Sequence, residues 1–292
     1  MTVRAFVERY PVATYFALTF SISWGVVLIV IGPGRIPGTP EQIERLFPFV
    51  LLAMYTGPAI AGPLLASLVY GRSGLRTFRS RLVTWRVSAQ WYAVALLIAP
   101  VSVFTSLFAL TLFSSEFLPG IVTTTDRTSL LLFGLGAGLA TGFLEELGWK
   151  GFATPELLQR YGVFTSGLIV GVMWGAWHFL VLLWASDVDA GALPLVLYLP
   201  VVLFSFLPPF RVLMVWVYDR TESLLVAMVM HASLLLFWII ATPEGIGGAS
   251  LVMWYLVWAA VLWVVVATVY VTTSGQLTPQ PLRRDESYRR NS

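Results

Sequence analysis

Apolar residues in this chain gather in long unbroken blocks, and polar residues fall mostly in the short stretches between them. A helix needs about 20 apolar residues to cross the hydrocarbon core of a bilayer, where the backbone must satisfy its own hydrogen bonds. Eight blocks meet that length, near 12–31, 47–70, 90–113, 128–148, 165–185, 192–217, 224–241 and 249–271. The pattern predicts an all-α polytopic membrane protein, with one transmembrane domain over 1–271 and a basic tail over 272–292. No internal repeat or low-complexity tract divides it. The first block lacks a small-residue cleavage site and is followed by further spans, so it is expected to stay as a helix.

Composition agrees with this class. Of 292 residues 58% are hydrophobic and 11% charged, and the mean hydropathy is +0.81, far from soluble domains. The absence of cysteine excludes disulfides, thiol catalysis and cysteine metal sites. Seventeen arginines stand against a single lysine, Lys150, which with the abundant alanine and valine fits a GC-rich bacterial genome. The net charge of +3 gives no reason to expect a nucleic-acid partner, because membrane topology accounts for where the arginines lie.

With the N-terminus inside, 15 of the basic residues fall on the cytoplasmic side, among them Arg72, Arg76, Arg79, Arg81, Arg86, Lys150, Arg160, Arg211 and Arg220. Only Arg35, Arg45 and Arg127 fall outside. This asymmetry obeys the positive-inside rule and would be lost if a span were added or removed. It predicts a multi-pass protein of the inner (plasma) membrane with both termini in the cytoplasm.

Ionisable residues within spans are costly and usually paired or functional. The only histidines are His178, in "GVMWGAWHFL", and His231, in "LVAMVMHASLL"; Glu145 and Glu146 end the fourth span in "GFLEELGWKGF". Glu146 and Lys150 stand four apart, in the favourable order for a helical ion pair. Glu145 points about 100° away around the helix and needs another partner. Gly138 and Gly142 precede the acids, Gly171 and Gly175 precede His178, and Ala227 precedes His231, each at helical spacing. Small residues so spaced let membrane helices approach closely. Acids and histidines are thereby expected on tightly packed faces, around a conical cavity open to the cytoplasm.

"EELGWKG", then Trp174 four before His178, then "MHAS" at His231, resemble in that order the CPBP intramembrane proteases. That family groups the type II CAAX prenyl endopeptidases with bacteriocin-processing and Abi proteins. The motif core is 128–241. The family pattern is Glu-Glu-x-x-x-Arg, Phe-x-x-x-His and His-x-x-x-Asn; here Lys150 replaces Arg, Trp174 replaces Phe in a mild aromatic exchange, and Leu235 replaces Asn. The resemblance implies that Glu145, with Glu146 and His178, activates a water for attack on an amide, while His231 helps to stabilise the oxyanion. Lys150 and Trp174 would support the site. Ser233 or a backbone amide could supply the donor missing at Leu235.

A zinc ion on Glu145, His178 and His231 is the competing reading, since two histidines and a carboxylate leave a position open for water. Without an HExxH motif, hydrolysis free of metal or other cofactor is preferred. The implied function is an intramembrane endopeptidase acting on a membrane-associated peptide or protein within the lipid bilayer. The alternatives are a non-catalytic protein of the same fold, serving bacteriocin self-immunity or as a scaffold, and a proton-coupled transporter. A bacterial source would argue against a prenylated CAAX protein as the natural substrate.

Overall fold

The computed structural model describes residues 2–32 and 34–273; the basic tail from 274 onward lies outside the described residues. Every regular element among the described residues is helical, and eight helical stretches are long and apolar enough to cross a membrane. They coincide with the eight blocks read from the sequence, and the protein is an all-α polytopic membrane protein.

A short helix α1 (Val3–Arg9) leads into α2 (Pro11–Ile31) and α3 (Pro40–Leu82). Thr39 caps α3, accepting from the Gln42 N–H, and Gly71 bends it at φ 59°, a conformation that a side chain would strain. Next come α4 (Ala89–Thr111), a 3₁₀ turn at Ser115–Phe117, the single turn α5 (Gly120–Thr123) and α6 (Arg127–Gly148). A π-helical turn (Trp149–Ala153) and α7 (Thr154–Leu158) follow. The chain then forms α8 (Val163–Trp177), α9 (Phe179–Asp189), α10 (Leu195–Phe204), α11 (Leu207–Thr221), α12 (Leu224–Ala241) and α13 (Gly248–Thr272).

Two predicted spans prove to be broken. The fifth is α8 and α9, joined at His178, and the sixth is α10 and α11, joined at Ser205–Phe206 just before Pro208 and Pro209. The segment after α6 is buried from Trp149 to Leu158.

Small residues set the helix pairings. At Gly138 of α6 a Cβ would fall 2.6 Å from the Ala232 carbonyl oxygen of α12, and Gly142 is crowded by the Met228 carbonyl. On α8, a Cβ at Gly167 would meet Val212 Cα and one at Gly171 would meet Pro208 Cα, both at 2.6 Å. Thus α6 lies directly on α12 and α8 directly on α11, as the spacing of small residues led one to expect. Indole–hydroxyl bonds join α13 to α4: Trp254 donates to Ser106 at 3.1 Å and Trp258 to Ser102 at 3.0 Å.

Candidate active site

The last turn of α6 presents Glu145 and Glu146 into the interior, where they are 2% and 0% exposed. Beyond them the helix widens. The Trp149 N–H reaches both the Glu145 and Glu146 carbonyls, and the Thr154 hydroxyl donates back five residues to the Trp149 carbonyl at 2.7 Å. Such π turns occur often at functional sites. Lys150 lies in this turn with its Nζ 3.7 Å from Glu146 Oε2, so the expected pair exists. It is not the main restraint on Glu146, because neither atom has a hydrogen bond.

The main restraint comes from Arg211. Its NH1 donates to Glu146 Oε1, and its NH2 stands 3.6 Å from Glu145 Oε2. Arg211 was counted with the cytoplasmic charges; the structure places it one turn into α11, fully buried. Lys150, counted in the same way, is fully buried too, so the charge asymmetry survives as 13 against 3, that is 15 less these two residues. Arg211 was missed as a site residue because it belongs to no motif, although an arginine between "LPPF" and an apolar run was a signal that the sequence contained.

The partner that Glu145 needed is Trp174, whose indole N–H donates to Glu145 Oε2 at 2.8 Å. The exchange from Phe is therefore not mild, since phenylalanine has no donor to offer. The guanidinium of Arg211 lies over the same indole, 3.8 Å from the ring centroid.

His178 stands where α8 breaks. Its backbone N–H turns to the Gly175 carbonyl at 3.0 Å, which leaves the Trp174 carbonyl free, and His178 Nδ1 takes that carbonyl at 2.8 Å. A carbonyl can only accept, so Nδ1 carries the proton and Nε2 keeps its lone pair. His231, two turns into α12, likewise gives its Nδ1 proton to Glu146 Oε1 at 2.8 Å. Both imidazoles pack edge-on against Trp174, with centroids 5.2 Å and 5.3 Å away.

Glu145, Glu146, Lys150, Trp174, His178 and His231 thus form one cluster from three motif segments. Ser233 does not join it; its hydroxyl donates to the Leu96 carbonyl of α4 at 2.9 Å. The expected cavity over the site is closed, since Glu145, Glu146, Lys150, Arg211 and His231 are each 2% exposed or less, and only His178 is half-buried. A cavity of about 530 Å³ opens instead between α3 and α6, from Ile43 to Tyr55. The Tyr55 hydroxyl bonds Thr141, one turn before Glu145. Among the described residues no three carboxylate or imidazole side chains converge as a metal site requires, so Glu145, His178 and His231 do not fit a zinc ion as they stand.

Residues 127–237 match the family model described as type II CAAX prenyl endopeptidase Rce1-like. Over that segment the chain is similar to Rce1-like proteins. The match supports, over the motif core, the resemblance to CPBP proteases carried by the ordered motifs. A similar protein is "CAAX prenyl protease 2" of Methanococcus maripaludis, 25% identical over 177 residues, which are 59% of this chain and 62% of that protein. The matched region thus spans less than two thirds of the relative's length.

Proposed function

We propose that this protein is a CAAX-protease-type intramembrane endopeptidase that hydrolyses a peptide bond of a membrane-associated peptide or protein. The observation that carries the reading is the convergence of both glutamates and both histidines, from three helices, around one indole. A water held between Glu145 and the lone pair of His178 Nε2 would lose a proton to the carboxylate, and its oxygen would bond to the scissile carbonyl carbon. With Nδ1–H given to Glu146, His231 would donate to the resulting oxyanion in the form that also carries a proton on Nε2, with Glu146 as counter-charge. The proton would then pass from Glu145 to the amine as the C–N bond breaks.

No metal or other cofactor enters these steps. The orientation that fits the arginines puts both termini on the cytoplasmic side of the inner (plasma) membrane, and the cluster nearer that side. Leu235 faces the question of the missing donor, which Ser233, bound to Leu96, is poorly placed to answer. The test is mass-spectrometric detection of cleavage products when purified protein in detergent meets a peptide library that includes farnesylated C-terminal tetrapeptides. Wild type should cleave at least one class of probe, and Glu145→Gln should lower the rate roughly 10²- to 10⁴-fold. A wild-type protein inert toward every probe would sink the proposal.

A further inference from the structure

We infer that Arg211 is a positioning residue that takes over, from a different helix, the guanidinium role that the family pattern places at position 150. The inference rests on the endopeptidase reading above and concerns how the two glutamates are held for it.

Position 150 is lysine here. An ammonium is a point charge and cannot hold two carboxylates in a plane as a guanidinium fork can. Accordingly Lys150 approaches only Glu146, at 3.7 Å and without a hydrogen bond. Arg211 addresses both acids with different nitrogens of one rigid group: NH1 donates to Glu146, and NH2 stands 3.6 Å from Glu145 Oε2, an ion pair without a hydrogen bond. The other close contacts are one-sided: Trp174 donates to Glu145, whereas His231 and Lys150 meet Glu146.

Two departures from the family pattern then meet around one group. With a guanidinium entering from α11, the aromatic residue at 174 becomes the platform beneath it, 3.8 Å from the ring centroid. The same ring, being indole, also donates to Glu145 at 2.8 Å. Lys150 and Trp174 are thus complementary changes around one arginine. The backbone holds that arginine from both sides, because Gly167 and Gly171 of α8 admit Val212 and Pro208 of α11 to within the space of a missing Cβ. Two cations and two carboxylates, all buried, balance in charge. A mere counter-ion for Glu146 would need none of this reach toward Glu145.

The experiment measures kcat, KM and melting temperature in detergent for wild type, Arg211→Lys, Arg211→Lys with Lys150→Arg, Glu146→Gln, and Glu146→Gln with Arg211→Met. Arg211→Lys should keep KM within about twofold and lose about 10² in kcat, the size of loss that follows small misplacement of reacting groups. Restoring a guanidinium at Lys150→Arg should recover about tenfold. Added to Glu146→Gln, Arg211→Met restores the balance of buried charge and should cost a further tenfold or so through Glu145; that comparison decides the matter even where Arg211→Lys fails to fold. Wild-type kcat in Arg211→Lys, or no added loss in the double variant, would overturn the inference while leaving the endopeptidase reading intact. Inert wild type would overturn both.

Discussion

Trp174 donates its indole N–H to Glu145 Oε2 at 2.8 Å while its own carbonyl accepts the Nδ1 proton of His178. One residue thereby connects the acid of α6 to the imidazole at the break between α8 and α9. A shift of α8 relative to α6 would disturb both groups together.

Trp174→Phe should accordingly preserve packing and lose function. The ring beneath Arg211 remains, but a hydrogen bond to a charged group, worth about 1.5–3 kcal/mol, disappears. That corresponds to roughly 10- to 100-fold in kcat with KM little changed. Steady-state kinetics on any peptide that wild type cleaves would check this, and a wild-type rate would refute it.

Glu146→Gln should act mainly on stability. Glu146 accepts from Arg211 and His231 and faces Lys150, so its neutralisation leaves buried cations short of a partner. Breaking a buried pair costs about 3–5 kcal/mol, or about 10 °C in melting temperature for a chain of this size. Glu145→Gln, which loses one hydrogen bond and a 3.6 Å ion pair, should melt higher than Glu146→Gln and yet be the less active. Equal melting temperatures would contradict the division of roles.

Leu235→Asn tests the missing oxyanion donor. Position 235 is one helical turn from His231 and half-buried, so an amide there lies on the same face as the imidazole. Turnover should rise, by up to about 10² to 10³, with KM nearly constant, since the oxyanion exists only after attack. An unchanged kcat would mean that another group already fills the role.

Gly138→Val should separate α6 from α12. The first added carbon meets the Ala232 carbonyl oxygen at 2.6 Å, a clash against backbone that side-chain rotation cannot relieve. Overpacking of this kind costs about 1–3 kcal/mol, and the displacement should carry His231 away from Glu146. Gly136→Ala, where a Cβ meets nothing within 4 Å, is the control and should hold or slightly raise the melting temperature. Equal melting of the two variants would remove the close-approach argument.

Topology is open to direct measurement because the chain has no cysteine. Single cysteines at Ser73 and Thr125, both exposed, should differ in intact cells: Thr125→Cys should react with a membrane-impermeant thiol reagent and Ser73→Cys should not. Labelling at both positions would invalidate the proposed orientation.

The eight spans were legible in the sequence because the bilayer imposes a length and an apolarity that each segment must meet by itself. The ordered pieces around Glu145, His178 and His231 were legible too, since each is a local pattern on one helix, and the small residues at 138, 142 and 171 marked the faces that touch. What only the tertiary structure decided is who pairs with whom across helices. Arg211 falls one turn into a helix whose start depends on the break at Ser205–Phe206, and its burial between Glu145 and Glu146 depends on how closely α11 meets α8. The donor role of Trp174 likewise depends on the distance of α8 from α6. Helical periodicity states which side chains share a face; it carries no information about the translation and rotation of one helix against another, and those decide which buried charges find each other.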